Sequence, residues 1–215
     1  MATFIKAGFW ETLCKPCRGY KGWLNLDELI KSLAPPAPEP AYKVYTALLT
    51  QSGGSGTSSL NDEPLTIGVT YLINDLGGSG WDFTNVGAPN NNAGTYFVAT
   101  GTTPNSWGDL GVSLEFTLGA PVVTVLENTI GNIWFTYDNV GFYKVNSNGL
   151  FTIGKTFSNI EPSAVDIENY RNAVIDHYGT NFSSSDINIF TGDFVSVISS
   201  NNYLNNTPIE IRVYN

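Results

Sequence analysis

Six carboxylates in the middle of the chain, Asp75, Asp82, Asp109, Glu115, Glu127 and Asp138, are the side chains best suited to chemistry. Two acids a few ångströms apart can cleave a glycosidic bond, one protonating the leaving group while the other attacks or activates water. Spacing does not say which of the six converge, and in an acidic chain the ordinary reading is solvated acids on strands and turns. His177 beside Asp176 suggests a Ser/His/Asp site, yet adjacent helical residues point about 100° apart, and no G-x-S-x-G elbow occurs. Cys14 and Cys17 form a C-x-x-C, half of a zinc site or a redox pair. Structural zinc needs four ligands, and the single histidine is far away in sequence. Packed thiols are therefore expected, with a zinc shared between subunits as the alternative and no cofactor otherwise.

Aromatic side chains offer a second chemistry. Trp81, Tyr96 and Trp107 lie among turn residues, where exposed rings could stack on the sugar rings of a glycan. In a segment too small to bury much else, the two tryptophans read first as core.

The elements that must position these residues are mostly strands. Strands are expected at 42–50, 66–74, 95–100, 112–118, 122–126, 132–137, 141–145, 150–153, 194–198 and 209–214, punctuated by Gly, Asn and Pro clusters. Residues 51–59 read as a loop, and Asn148-Gly149 as a hairpin turn. Ser163 with Asp166 three residues on, then Ile167, Tyr170, Val174 and Tyr178, predicts one helix ending at Gly179.

Residues 1–34 differ from the rest. Phe4, Phe9, Trp10, Tyr20 and Trp23 alternate with basic residues, and Leu26, Leu29, Ile30 and Leu33 form an apolar stripe on a short helix expected over 25–33. This segment carries five basic residues against three acidic ones, a net +2; the whole chain carries −9, so the remainder holds −11. Pro35, Pro36, Pro38 and Pro40 make residues 35–41 a stiff spacer. The segment cannot form a core alone, so its stripe either packs on the chain's own β body or docks on another protein. An acidic body disfavours nucleic acid, and no apolar run approaches the roughly 20 residues of a spanning helix or supplies a signal-peptide core, so membrane insertion is not expected. Two cysteines fit a reducing cytoplasm better than a disulfide framework.

The stretches YKVYTALLTQSG, APVVTVLENTIGNIWFTYDNVGFY, LFTIGKTF and PIEIRVYN resemble a β module of virion proteins from tailed phages that infect Bacteroidota, crAss-like phages among them. In that module the QSG element runs nearly into the AP-x-x-TVLENT element, which implies that residues 54–119 are an insertion. The insert, with DFTNVG at 82–87 and ATGTTP at 99–104, resembles a small β unit that recurs in phage fibre proteins. The resemblance, which covers most of 42–215, implies a mainly β fold: an antiparallel sandwich-like body with a small inserted β subdomain, to which the residue patterns add one helix in the C-terminal half and a partly helical N-terminal anchor. It also implies a non-enzymatic head-fibre or capsid-decoration protein on the virion, assembled in the host cytoplasm; residues 1–34, which the resemblance does not cover, are expected from their aromatic, basic and amphipathic character to dock on a capsid or tail protein. The alternative is a tail fibre or spike that binds or cleaves glycans. Open sheets with few charges further suggest a homo-oligomer, a trimer before a dimer.

Overall fold

The computed structural model describes residues 4–6, 23–25, 41–75, 77–109, 111–161, 171–176, 183–193 and 198–215. The chain divides into two units, Met1–Pro40 and Ala41–Asn215. In the first, β1 (Phe4–Lys6) pairs antiparallel with β2 (Trp23–Asn25). Asn25, expected to open a helix, ends this strand; the rest of that expected helix lies outside the described residues.

The second unit is mainly β, and every described strand pair in it is antiparallel. In chain order its strands are β3 (Tyr42–Thr50), β4 (Thr57–Leu60), β5 (Thr70–Asp75), β6 (Trp81–Asp82), β7 (Tyr96–Val98), β8 (Ser106–Trp107), β9 (Val112–Thr117), β10 (Val122–Asn128), β11 (Ile133–Asn139), β12 (Phe142–Ser147), β13 (Thr156–Ile160), β14 (Arg171–Asp176), β15 (Asp186–Asp193), β16 (Ile198–Ser199) and β17 (Thr207–Tyr214).

Two sheets form a sandwich. One has the order β10-β3-β17-β13 and the other β11-β12-β15-β14, with β16 added beside β15. Alternation decides which face is buried: Tyr45, Ala47 and Leu49 on β3 and Ile209, Ile211 and Val213 on β17 point inward, meeting Phe135, Tyr143, Val145, Ile187 and Ile189 of the other sheet. The Tyr45 and Phe135 rings lie 6.2 Å apart across that interface.

Strands β4 to β9 fall between β3 and β10, two neighbours that pair directly from Thr50↔Val122 onward. They build a sheet of their own, β4-β9-β5-β7, and a two-residue ladder, β6-β8. Their core is separate and aromatic: Tyr71, Phe83 and Phe97 are fully buried with Ile73 and Leu114. Phe83 stacks on Phe97 at 6.3 Å and meets the edge of Trp107 at 5.3 Å. Such rings bury a large area per residue, which a unit of this size needs.

This sheet is fastened to the sandwich at defined points. The backbone N–H of Val123 donates to the Gly68 carbonyl at 2.9 Å, and Asn132 Nδ2 donates to the Tyr96 carbonyl at 2.8 Å. The Phe135 N–H donates to Thr70 Oγ1 at 3.2 Å in a buried position, and Tyr96 lies parallel to Trp134 at 5.6 Å. Gly68 has φ +85°, and a Cβ there would come within 2.4 Å of the Val123 carbonyl, so the approach requires glycine.

Several expectations are corrected. The helix over 163–178 is not formed at Arg171–Asp176, which is β14, paired with β15 from Arg171↔Asp193 to Asp176↔Asn188. Positions 170, 174 and 178 differ by even numbers, so they share a side of a strand as readily as of a helix, and β-branched Val174 and Ile175 favour the strand. Residues 163–170 and 177–178 lie outside the described residues. Asn148-Gly149 turns the chain, with φ +75° at Gly149, but makes no hairpin: β12 and β13, on either side, belong to opposite sheets. The two-residue hairpin is instead Val140-Gly141, between β11 and β12. Residues 150–153 form no strand, because Lys155 N–H closes a turn on the Thr152 carbonyl at 3.0 Å and β13 starts only at Thr156. The expected loop at 51–59 is shortened by β4, which begins at Thr57.

Candidate functional site

The carboxylates do not assemble as an acid pair where their register can be read. On β5 and β9, Asp75 faces Val112 and Glu115 faces Leu72. Those cross-strand pairs lie an odd number of residues apart, which puts the two acids on opposite faces of the sheet. Each has a local partner: Asp75 accepts from the Gly77 N–H at 2.7 Å, and Glu115 from Asn74 Nδ2 at 3.3 Å. Asp109 accepts from Ser79 Oγ at 3.2 Å, Asp138 sits 3.7 Å from Lys144 Nζ, and Glu127 is exposed. Among the described residues, no three His, Cys, Asp or Glu side chains cluster as a metal site would require.

Asp82 has the most elaborate surroundings. Its Oδ1 accepts from the Thr84 N–H at 3.0 Å, the Thr84 hydroxyl at 2.6 Å and Asn91 Nδ2 at 3.2 Å, and its Oδ2 from Asn105 Nδ2 at 2.9 Å. The Thr84 hydroxyl, then Asn105, hold its carboxyl well below the usual carboxylate range. A carboxylate so stabilised is a poor general acid at neutral pH and a weak base. Asn85 completes the arrangement, accepting from the Asn105 N–H at 2.9 Å and donating to the Thr103 carbonyl at 2.9 Å. The DFTNVG and ATGTTP stretches are thereby bound to each other through Asp82, Asn85, Thr103 and the adjoining Asn105.

The QSG element is a fastener of the same kind. Buried Gln51 accepts from the Asn202 N–H at 2.6 Å and donates to the Gly53 carbonyl at 3.1 Å. Asn201 Nδ2 also reaches the Gly53 carbonyl, at 3.1 Å, and its Oδ1 takes the Gly141 N–H and the Tyr143 hydroxyl. No protein-family model, curated protein or solved structure matches the chain. In their geometry these motifs are fasteners: they tie together turns far apart in sequence.

The aromatic candidates are half-buried. Trp81 and Trp107 are cross-strand partners in the β6-β8 ladder, and Trp81 Nε1 donates to the Asn91 carbonyl at 2.8 Å. Both pack against the inserted sheet's core, while Tyr96 packs on Trp134 and the sandwich core. The three do not form one platform, since Tyr96 belongs to a different cluster from the tryptophans. Of the docking residues expected in the first 34 positions, Phe4 and Trp23 fall on the β1-β2 ladder, opposite Asn25 and Lys6. Phe9, Trp10, Tyr20, Leu26, Leu29, Ile30 and Leu33 lie outside the described residues, as do Cys14, Cys17 and His177.

A cleft of about 360 Å³ opens between the inserted sheet and the sandwich. Gly87, Pro89, Val98 and Thr100 line one side, and Tyr45, Val125, Asn128, Asn132 and Ile133 the other. Sequence reading missed it, because its residues are distant along the chain and none is charged.

Proposed function

We propose that this chain is a non-enzymatic structural component of a tailed-phage virion, a head fibre or capsid decoration protein that displays its β body. Residues 1–34 attach it to a capsid or tail protein, and the protein is assembled in the host bacterial cytoplasm. The observation that carries this reading is the use made of the reactive side chains in the body. Asp82, the carboxylate with the strongest environment, has both oxygens occupied by four donors from its own turns, and the motif residues Gln51 and Asn85 are engaged in the same way. Such a body is built to hold a shape.

Two further features support display. The chain divides at Pro40, within the proline-rich spacer, into a short aromatic unit and the β unit. Ile153 and Phe157, just before and within edge strand β13, are 68% and 47% exposed, apolar surface of the kind a neighbouring copy covers in a fibre. A homotrimer is the assembly proposed.

Quantitative mass spectrometry of purified particles from the phage that encodes the chain tests this reading. A symmetric multiple of copies per particle is expected. Absence from particles, with abundant protein in the infected cell, would contradict it.

A further inference from the structure

Tyr45 lines the cleft between the inserted sheet and the sandwich. It is fully buried, and its hydroxyl has no hydrogen-bond partner among the described residues. Burial accordingly raises its ionisation far above the ordinary tyrosine range. A buried hydroxyl without a partner is costly, and a fold that keeps one beside a cleft has either a ligand or ordered water to satisfy it.

The rest of the lining narrows the ligand's chemistry. None of the ten lining residues is Asp, Glu, Lys or Arg, so no counter-charge awaits an ion, and the acidic body disfavours anions further. Asn132 uses its amide N–H on the Tyr96 carbonyl, and Asn128 braces the loop through its bonds with Gly131. These bonds fix both carboxamides at the cleft while keeping hydrogen-bonding capacity in reserve. Val98, Val125, Pro89 and Ile133 supply apolar walls. Gly87 lets this wall pack tightly: a Cβ there would meet the Val98 carbonyl at 2.5 Å and Thr100 Oγ1 at 3.2 Å. A volume of about 360 Å³ is at the small end for ligand sites.

We infer that this cleft binds a neutral, hydroxyl-bearing ligand the size of one sugar ring, with a ligand hydroxyl paired to Tyr45 and the ring between apolar walls and the carboxamides of Asn128 and Asn132. The inference goes beyond the virion assignment and does not depend on it. It also moves glycan contact away from Trp81 and Trp107, whose rings serve the inserted core.

The test uses the full chain and a panel of methyl glycosides of neutral hexoses and N-acetylhexosamines, followed by amide chemical shifts. At least one sugar should move the Thr100, Asn128 and Asn132 signals, and Tyr45→Phe should weaken that sugar about 3- to 10-fold. The same variant should melt higher than the parent without sugar, since it removes an unpaired buried hydroxyl. Thr100→Val, on the opposite wall, gives a second reading should Tyr45→Phe disturb packing, and it too should weaken binding. A panel that leaves the cleft signals unmoved overturns the inference, as does a sugar bound equally by the parent and both variants. Particle incorporation stays the same in either case, so failure here is distinguishable from failure of the virion role.

Discussion

Asn105 Nδ2 donates to Asp82 Oδ2 at 2.9 Å across 23 residues of chain, joining the end of β6 to the turn before β8. The two strands so joined are only two residues long each, too short to hold by ladder bonds alone. Asp82→Ala should therefore loosen the inserted sheet first. Hydrogen exchange on Thr84 and Asn105 should quicken markedly while β3 and β17 keep their protection; unchanged exchange would show the network to be incidental.

The same carboxylate predicts a pH dependence. Its folded pKa is lowered, first by the Thr84 hydroxyl, so its contribution is present above the unfolded value near about 4 and is lost as pH falls through the folded one. The parent should lose melting temperature below about pH 4 more steeply than Asp82→Asn, which carries no titrating group there. Parallel curves for the two proteins would reject the assignment.

Gly68→Ala probes the seam between inserted sheet and sandwich. The φ of +85° and the 2.4 Å approach to the Val123 carbonyl act together. Strain of this kind costs about 1–3 kcal/mol before the clash is counted. Urea unfolding should show a loss of that size or more, with the Val123 amide among the most affected.

Much of this architecture was legible from residue pattern. Tyr42–Thr50 is a strand with the expected ends, and the alternation of Ile209, Ile211 and Val213 gives the buried face of β17, because a sheet with one covered face imposes period two. Residues 171–176 were misread because spacings of four suit helix and strand alike. β13 and β15 escaped notice because their patterns, TFSNI and DINIFTGD, mix polar residues into both faces. The acids were visible as types, but their separation onto opposite faces depends on the β5-β9 register, which no local pattern carries. The cleft depends on Tyr45, Thr100 and Asn128 meeting across the insertion, a purely tertiary fact.

Asn201 and Gln51, far apart along the chain, converge on the Gly53 carbonyl. Asn201→Ala removes bonds to Gly53, Gly141, Tyr137 and Tyr143 together, and should cost about 1–3 kcal/mol. Combined with Gln51→Ala, the loss should differ from the sum of the two single losses, because the sites share an acceptor. Strict additivity in a double-mutant cycle would argue that they act separately.

Attachment through the first 34 residues is the central claim, and deleting them tests it most directly. Protein lacking residues 1–34 should keep the far-ultraviolet spectrum of a β protein and its cooperative melt, yet no longer co-purify with particles that take up the full chain. Undiminished incorporation of the truncated protein would place the attachment site in the β body and contradict the account.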